Sequence, residues 1–166
     1  WNADATRMPA LMHSQYLRRL FLNDDLSEGR YPVDGRPVSL SNLTLPMFMV
    51  GTLTDHVAPW RSVFKLHQMS PAEITFALTS GGHNGGIVNP PGNARRRYQL
   101  LTRPAGGNYV APDAWLETAP ETQGSWWPAW LEWLQARSGT PAKPPRMGAG
   151  AYKPVGDAPG TYVLEK

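Results

Sequence analysis

The sequence predicts an α/β fold, in which helices alternate with the strands of a parallel sheet. Residues 45–50 (Leu-Pro-Met-Phe-Met-Val) and residues 73–78 (Glu-Ile-Thr-Phe-Ala-Leu) are the apolar stretches that indicate strands. Residues 45–50 have the continuous apolar pattern of a strand buried on both faces. Between the two stretches, a helix is expected from Pro59, and its apolar side carries Trp60, Val63, Phe64 and His67. A strand, a helix and a strand within about 30 residues form a right-handed crossover with parallel strands.

The amino-terminal part is predicted to contain a helix and a hairpin. Over residues 8–22 the helix has an apolar side of helical spacing, and Pro9 suits its first turn. Residues 31–40 are expected to form a short hairpin that turns at Asp34-Gly35.

The carboxyl-terminal part is predicted to hold one more helix and much irregular chain. Residues 89–112 are rich in Pro, Gly and Arg and are typical of a surface loop. A last helix is expected from about Ser125, its N-cap, to Arg137, with Gly139 just past its end. Residues 139–166 contain five Pro and five Gly, so an extended tail is expected there.

Composition excludes several classes of function. The 166 residues are 41% hydrophobic and 17% charged, which suits a globular domain or part of one. The absence of cysteine excludes, within this chain, a disulfide, a thiolate metal site and a thiol nucleophile. A net charge of +3 is too small and too dispersed to indicate a nucleic-acid partner. Four widely separated histidines predict no metal, and nothing indicates a cofactor.

The start of the chain is unusual. It lacks an initiating Met and enters a helical pattern near Arg7, so we expect a C-terminal piece of a longer protein. There is no apolar run of 18 residues and no signal-peptide pattern, which favours a cytoplasmic location.

Asp55 and His83 are the candidate catalytic residues. Asp55 lies four residues after Gly51, and His83 follows the second strand in Ser80-Gly81-Gly82-His83. Because ligands bind beyond the carboxyl ends of parallel strands, the two side chains should meet there, with the carboxylate orienting the imidazole. Asp55 as a turn or capping residue, and His83 facing solvent, remain the alternatives. Acid before histidine is also the chain order of the last two triad members in α/β-hydrolases, which would place the nucleophile upstream of Trp1.

Longer motifs carry a resemblance to one family. They are, in order, Trp1-Asn2-Ala3-Asp4-Ala5-Thr6 with Pro9, Gly51-Thr52-Leu53-Thr54-Asp55-His56-Val57-Ala58-Pro59-Trp60, Ser80-Gly81-Gly82-His83 through Asn89-Pro90-Pro91-Gly92-Asn93, Ser125-Trp126-Trp127 with Trp130, Trp133-Leu134 and Arg137-Ser138-Gly139, and Pro159-Gly160-Thr161-Tyr162-Val163. Through these motifs the chain resembles the class I polyhydroxyalkanoate synthases, also called poly(3-hydroxybutyrate) polymerases, over nearly its whole length.

The resemblance implies an acyltransferase that polymerises (R)-3-hydroxyacyl-CoA, such as 3-hydroxybutyryl-CoA, releases CoA and carries the polyester as a thioester. The family's nucleophile is a cysteine in a Gly-x-Cys-x-Gly turn, which this chain lacks, so the chain alone is expected to be inactive. His83 would be the general base. Asp55 would hold that imidazole or help to activate the incoming 3-hydroxyl group, and His56 would line the substrate pocket.

The resemblance also implies an organisation and partners. Residues 1–45 would be the latter part of a cap region, residues 46–138 the C-terminal part of an α/β-hydrolase core, and residues 139–166 the tail. Expected partners are the missing N-terminal part of the same protein, a second copy in a homodimer, the growing polyester and the granule surface. Two alternatives stay open: a polyester depolymerase or esterase with a serine nucleophile, and a non-catalytic granule-binding module that uses the Trp-rich helix.

Overall fold

The amino-terminal helix is confirmed by the computed structural model, which describes residues 7–148, 150–161 and 164. Helix α1 covers Ala10–Tyr16 and continues as a π-helix over Leu17–Leu22, and neither contains a buried residue. The predicted motif at residues 1–6 and the two residues 162 and 163 of the tail motif lie outside the described residues.

The predicted hairpin is confirmed as well. Strands β1 (Tyr31–Val33) and β2 (Arg36–Val38) pair antiparallel. Between them, Asp34 and Gly35 have φ angles of 48° and 75°, and this pair of positive values is typical of the two-residue type I′ turn that matches the twist of a hairpin. A short 3-10 helix follows over Leu40–Asn42.

Within the described ranges, the main sheet has four strands in the order β3-β4-β5-β6: Met47–Thr52, Ile74–Thr79, Arg97–Arg103 and Glu121–Gln123. Strands β3 and β4 are parallel, as predicted, and the other two neighbouring pairs are antiparallel. All six residues of β4 are buried. Residues 47–50 of β3 are half-buried, so the expectation that this strand is buried on both faces was wrong. The fold is α/β with a mixed sheet, and its further assignment to the α/β-hydrolases stays a prediction.

In the part of the chain that the structure describes, five α-helices accompany the strands. Helices α2 (Trp60–Phe64) and α3 (Leu66–Met69) form the predicted crossover between β3 and β4. Helix α4 covers Pro112–Thr118, and α5 covers Trp127–Gln135. Among the described residues, no helix is long and apolar enough to cross a membrane.

Packing places helices on both faces of the sheet. One face of β4 carries Ile74, Phe76 and Leu78, which belong to a buried apolar cluster. The other members are Trp60 and Phe64 of α2, Trp115 of α4, and Ala119 at the end of α4. On the opposite face, Phe48 of β3 contacts the rings of Trp126 and Trp133 at centroid distances of 6.1 and 5.8 Å. These two tryptophans therefore pack against the sheet. Trp130, by contrast, is 40% exposed.

The expectation of a surface loop over residues 89–112 was wrong for residues 97–103. Residues 97–103 form β5, of which residues 98–103 pair with β4, and Tyr98 is buried. The proline and glycine residues on either side of this segment favour the prediction of a loop. Its two arginines lie at the two ends of the strand. Helix α4 was not expected either, although Pro112 in its first turn and Asp113 beside it are ordinary signals of a helix start.

The last helix begins one residue later than expected. Its N-cap position is Trp126, although Ser125 Oγ accepts a hydrogen bond from the Trp127 N–H at 3.0 Å. Beyond it, residues 139–148 and 150–161 are exposed and contain no helix or strand, in keeping with the expected irregular tail. The division at residues 45 and 138 stays a prediction.

Candidate active site

Strand register brings Asp55 and His83 to one edge of the sheet. Thr52 and Thr79, the last residues of β3 and β4, lie opposite each other, so the two strands end level. Pairing continues past both ends, because Leu53 N–H donates to Thr79 O at 2.9 Å and Thr54 N–H donates to Gly81 O at 3.1 Å. The loops that follow the two strands therefore stay together, and each carries one of the predicted side chains.

Asp55 is held in one orientation by donors of its own loop. The backbone N–H groups of Val57 and Ala58 each donate to Oδ1 at 2.8 Å, and Thr52 Oγ1 donates to Oδ2 at 3.1 Å. The hydrogen bond from Ala58 is the main cause that lowers the pKa of Asp55; those from His83, Val57 and Thr52 add to it, against partial burial of the side chain. Asp55 is therefore an ionised acceptor, and its side chain is only 6% exposed.

His83 contacts that carboxylate through one ring nitrogen. Its Nδ1 lies 3.2 Å from Oδ1 and 3.0 Å from Oδ2 of Asp55. An ionised carboxylate can only accept, so Nδ1 carries the proton and the neutral imidazole has its lone pair on Nε2. The side chain is 46% exposed, which leaves the imidazole accessible from outside. The pair thus has the arrangement of a base held by an acid.

The loop that carries His83 packs tightly against the Asp55 side. Gly86 N–H donates to Gly82 O at 2.9 Å and closes a turn around His83. A methyl group at Gly86 would lie 2.4 Å from Thr52 Cγ2, well inside van der Waals contact. Only glycine permits this approach of the loop to Thr52, whose hydroxyl group holds Asp55.

A cavity of about 160 Å³ opens at the pair. Besides Asp55 and His83, its lining is mostly apolar and consists of Val50, Gly51, Thr52, Ala58, Val63 and Ile87. His56 is exposed and is not part of this lining, so its predicted contact with substrate stays a prediction.

The structure also locates the other residues that the sequence singled out. His67 is a core histidine, as expected: it is 5% exposed, its Nδ1 lies 2.9 Å from Phe64 O, and its ring stacks on Phe64. Arg103 lies within residues 89–112, which were expected to form a surface loop, but its guanidinium group donates to the carbonyl groups of His67, Ser70 and Ala72. Within the described residues, no three His, Asp or Glu side chains are arranged to hold a metal ion.

Thr52 is a partner of Asp55 that the sequence did not indicate. Its position at the end of a strand, three residues before the acid, is the only local signal, and threonine is common in strands. The contact depends on how the loop turns after the strand, so only the folded structure reveals it.

Comparison with known proteins identifies relatives along the whole chain. No protein-family profile matches it. The chain is 42% identical over its full length to poly(3-hydroxyalkanoate) polymerase 2 of Ectopseudomonas oleovorans. It is 40% identical to the poly(3-hydroxyalkanoate) polymerase subunit PhaC of Rhizobium etli and 34% identical to that of Cupriavidus necator, again over the whole chain.

The chain spans only 26% to 29% of the length of these three relatives. The matched segment in them is a C-terminal portion. The similarity covers the whole chain, so it includes both strand ends and the loops that carry Asp55 and His83. The chain therefore corresponds, over its whole length, to a C-terminal portion of the poly(3-hydroxyalkanoate) polymerases.

Proposed function

We propose that this chain supplies the general base, His83, and its orienting acid, Asp55, to a class I polyhydroxyalkanoate synthase. The observation that carries the proposal is the contact of His83 Nδ1 with both carboxylate oxygens of Asp55, at 3.2 and 3.0 Å. Similarity to polymerases along the whole chain supplies the reaction class. The nucleophile, a cysteine, would come from the part of the polymerase that this chain does not contain.

Proton transfer at Nε2 of His83 would serve both half-reactions. In the first, the imidazole takes the thiol proton, the thiolate attacks the thioester carbonyl of (R)-3-hydroxyacyl-CoA, and CoA leaves with that proton. In the second, the imidazole takes the proton of a 3-hydroxyl group, whose oxygen attacks the enzyme-bound thioester. An oxygen ester forms, and the returning proton restores the free thiol. No cofactor or metal enters either step.

The surroundings of Asp55 favour an orienting role over direct contact with the substrate hydroxyl group. Both carboxylate oxygens already accept hydrogen bonds from Thr52, Val57 and Ala58 in addition to the contact with His83. The side chain is also almost fully covered. Asp55 would thus fix the tautomer of His83 and stabilise its protonated form, as the acid of a triad does.

The apolar lining of the cavity supports acyl transfer rather than hydrolysis. Val50, Val63 and Ile87 border the pair and disfavour water next to the reacting thioester. His56 would contact substrate from outside this lining. The proposal has four further parts, which are supported by the similarity to polymerases. They are dimer formation, a cap formed by residues 1–45, a cytoplasmic location and association with granules.

Substitution of His83 and Asp55 in the complete polymerase tests the proposal. His83→Gln should abolish polymer formation, because no base then takes the proton from the thiol or the hydroxyl group. Asp55→Asn should lower CoA release in a single turnover and chain elongation in equal proportion, by as much as about 10⁴-fold for a lost orienting acid. His13→Gln, in exposed α1, is the matched control and should leave both rates unchanged.

Two results would contradict the assignment. A tenth or more of normal polymer formation in His83→Gln would remove the base role. Loss of elongation with acylation intact in Asp55→Asn would instead show that Asp55 acts on the hydroxyl group. Net hydrolysis of polyester by the complete protein, with no polymer formed, would favour the depolymerase alternative.

A further inference from the structure

Three side chains at the start of α5 donate hydrogen bonds to the loop that carries His83. Trp126 Nε1 donates to Gly86 O at 3.1 Å, and Trp127 Nε1 donates to Ile87 O at 3.0 Å. Ser125 Oγ donates to Asn89 O. Three consecutive residues thus hold three carbonyl groups that lie 36 to 40 residues earlier in the chain.

The carbonyl groups belong to the part of the loop that determines where His83 lies. Gly86 closes the turn around His83 through its bond to Gly82 O, and it packs against the methyl group of Thr52. Thr52 in turn donates to Asp55. A shift of Gly86 would therefore move both partners of the Asp55–His83 contact.

The other side of the same loop rests on Arg96. Its Nη1 donates to Ser80 O at 3.3 Å. A methyl group at Gly81 would lie 2.4 Å from Nη1, and one at Gly85 would lie 3.2 Å from Nη2, so the guanidinium group directly underlies the glycine-rich segment. The loop is therefore held from two sides, by the indole groups of Trp126 and Trp127 on one side and by Arg96 on the other.

We propose that Trp126 and Trp127 are positioning residues for His83, acting through indole hydrogen bonds to the backbone of its loop. This inference rests on the proposed function for its kinetic consequences, since His83 must be the base for its placement to affect turnover. The Trp-rich helix thereby acquires a role beyond packing: its first turn aligns the catalytic imidazole with Asp55.

Trp133 is a comparison residue of the same helix, whose indole group packs without a hydrogen bond to the loop. It lies on the same helix and contacts Phe48, as Trp126 does. Its Nε1 is buried, yet it has no hydrogen-bond partner among the residues that the structure describes. Replacement by Phe removes the same atoms at all three positions, but only at Trp126 and Trp127 does a loop carbonyl group lose its donor.

The experiment compares Trp127→Phe and the double variant Trp126→Phe with Trp127→Phe against Trp133→Phe, all in the complete polymerase. We expect kcat to fall by about 10-fold to 100-fold in the first two, with KM little changed, because a small misplacement of the base acts on the transition state. Trp133→Phe should keep kcat within about 2-fold, since its indole N–H holds no loop carbonyl. Trp127→Phe alone keeps the test decisive if the double variant does not fold.

A readout that does not need polymer formation accompanies the kinetics. The rate at which diethyl pyrocarbonate modifies His83, followed by mass spectrometry, is measured in each variant and in Asp55→Asn. Trp127→Phe should change this rate in the same direction as Asp55→Asn, and Trp133→Phe should not change it. Equal kinetics and equal modification rates in Trp127→Phe and Trp133→Phe would overturn the inference. Full activity of His83→Gln would instead overturn the proposed function, while the modification rates would still test the positioning.

Discussion

Glycine at position 86 is as important to the site as the two titratable side chains. It lies where the loop of His83 meets Thr52, and its missing side chain allows that contact. The carbonyl group of the same residue accepts from Trp126. One small residue therefore joins the base, the donor to the acid and the helix that positions them.

Gly86→Ala should impair turnover strongly. The added methyl group would meet Thr52 at 2.4 Å, and relief of that overlap must displace either the loop or Thr52. We expect a destabilisation of about 1–3 kcal/mol from overpacking. A loss of kcat of about 10-fold or more should accompany it because the base is displaced. Both are measured by urea unfolding and by steady-state kinetics of the complete polymerase.

Gly85→Ala is the matched control for this prediction. Its added methyl group would meet only the end of the Arg96 side chain, at 3.2 Å. This flexible side chain can move aside by the few tenths of an ångström that the contact requires. Kinetics close to the parent are expected for it. Equal damage from both substitutions would show that the loop tolerates no side chain at all, and that the contact with Thr52 is not the reason.

Among the elements, β5 does more than extend the sheet. Arg103, its last residue, donates to the carbonyl groups of His67, Ser70 and Ala72 at 2.5 to 2.7 Å. These groups lie at the end of α3 and in the link to β4, where helix-terminal carbonyl groups lack partners within the helix. The strand thus fixes the end of the crossover whose other end leads to Asp55.

Arg103→Met should destabilise the protein by about 2 kcal/mol or more, because three covered carbonyl groups lose a charged donor. Arg103→Lys should recover part of this loss, since one ammonium group cannot reach three carbonyl groups in the geometry of a guanidinium fork. Urea unfolding measures both. Arg95→Met, at an exposed position, is the control and should stay within about 0.5 kcal/mol of the parent.

At the scale of the whole molecule, helices on both faces leave β4 entirely buried and place a titratable side chain in the core. His67 stacks on Phe64 with ring centroids 4.0 Å apart and lies edge-on to Phe76. Burial is the main cause that lowers the pKa of His67, and the charge of Arg103 adds to it, against the hydrogen bond to Phe64 O. The folded protein therefore favours the neutral imidazole.

The free energy of unfolding should consequently decrease as the pH falls. In the unfolded chain His67 is protonated at its ordinary pKa of about 6.5, whereas in the folded protein it is protonated only at a lower pH. The contribution of neutral His67 to the free energy of unfolding is therefore present above about pH 6.5 and is lost as the pH falls below it. His67→Phe keeps a ring against Phe64 but cannot be protonated. Urea unfolding at about pH 7.5 and about pH 5.5 should show a smaller decrease for the variant. An identical decrease in both proteins would assign the effect to other groups.

Local patterns predicted much of this molecule correctly. The parallel pair of β3 and β4, the helical crossover, the hairpin at Asp34-Gly35 and the meeting of Asp55 with His83 all follow from apolar spacing and turn residues. These features depend on short stretches of chain or on the rule that parallel strands end at one edge of a sheet. Such constraints are visible in the sequence without knowledge of the rest of the fold.

What the sequence by itself determined is the α/β class and the pair of side chains at the strand ends. Tertiary structure alone decided that residues 97–103 form a strand, that Arg103 holds the end of α3, and that Trp126 and Trp127 hold the loop of His83. The physical reason is that a backbone carbonyl group accepts from any donor that packing brings near it. No residue type marks it as the partner, and these partners lie 31 to 40 residues apart.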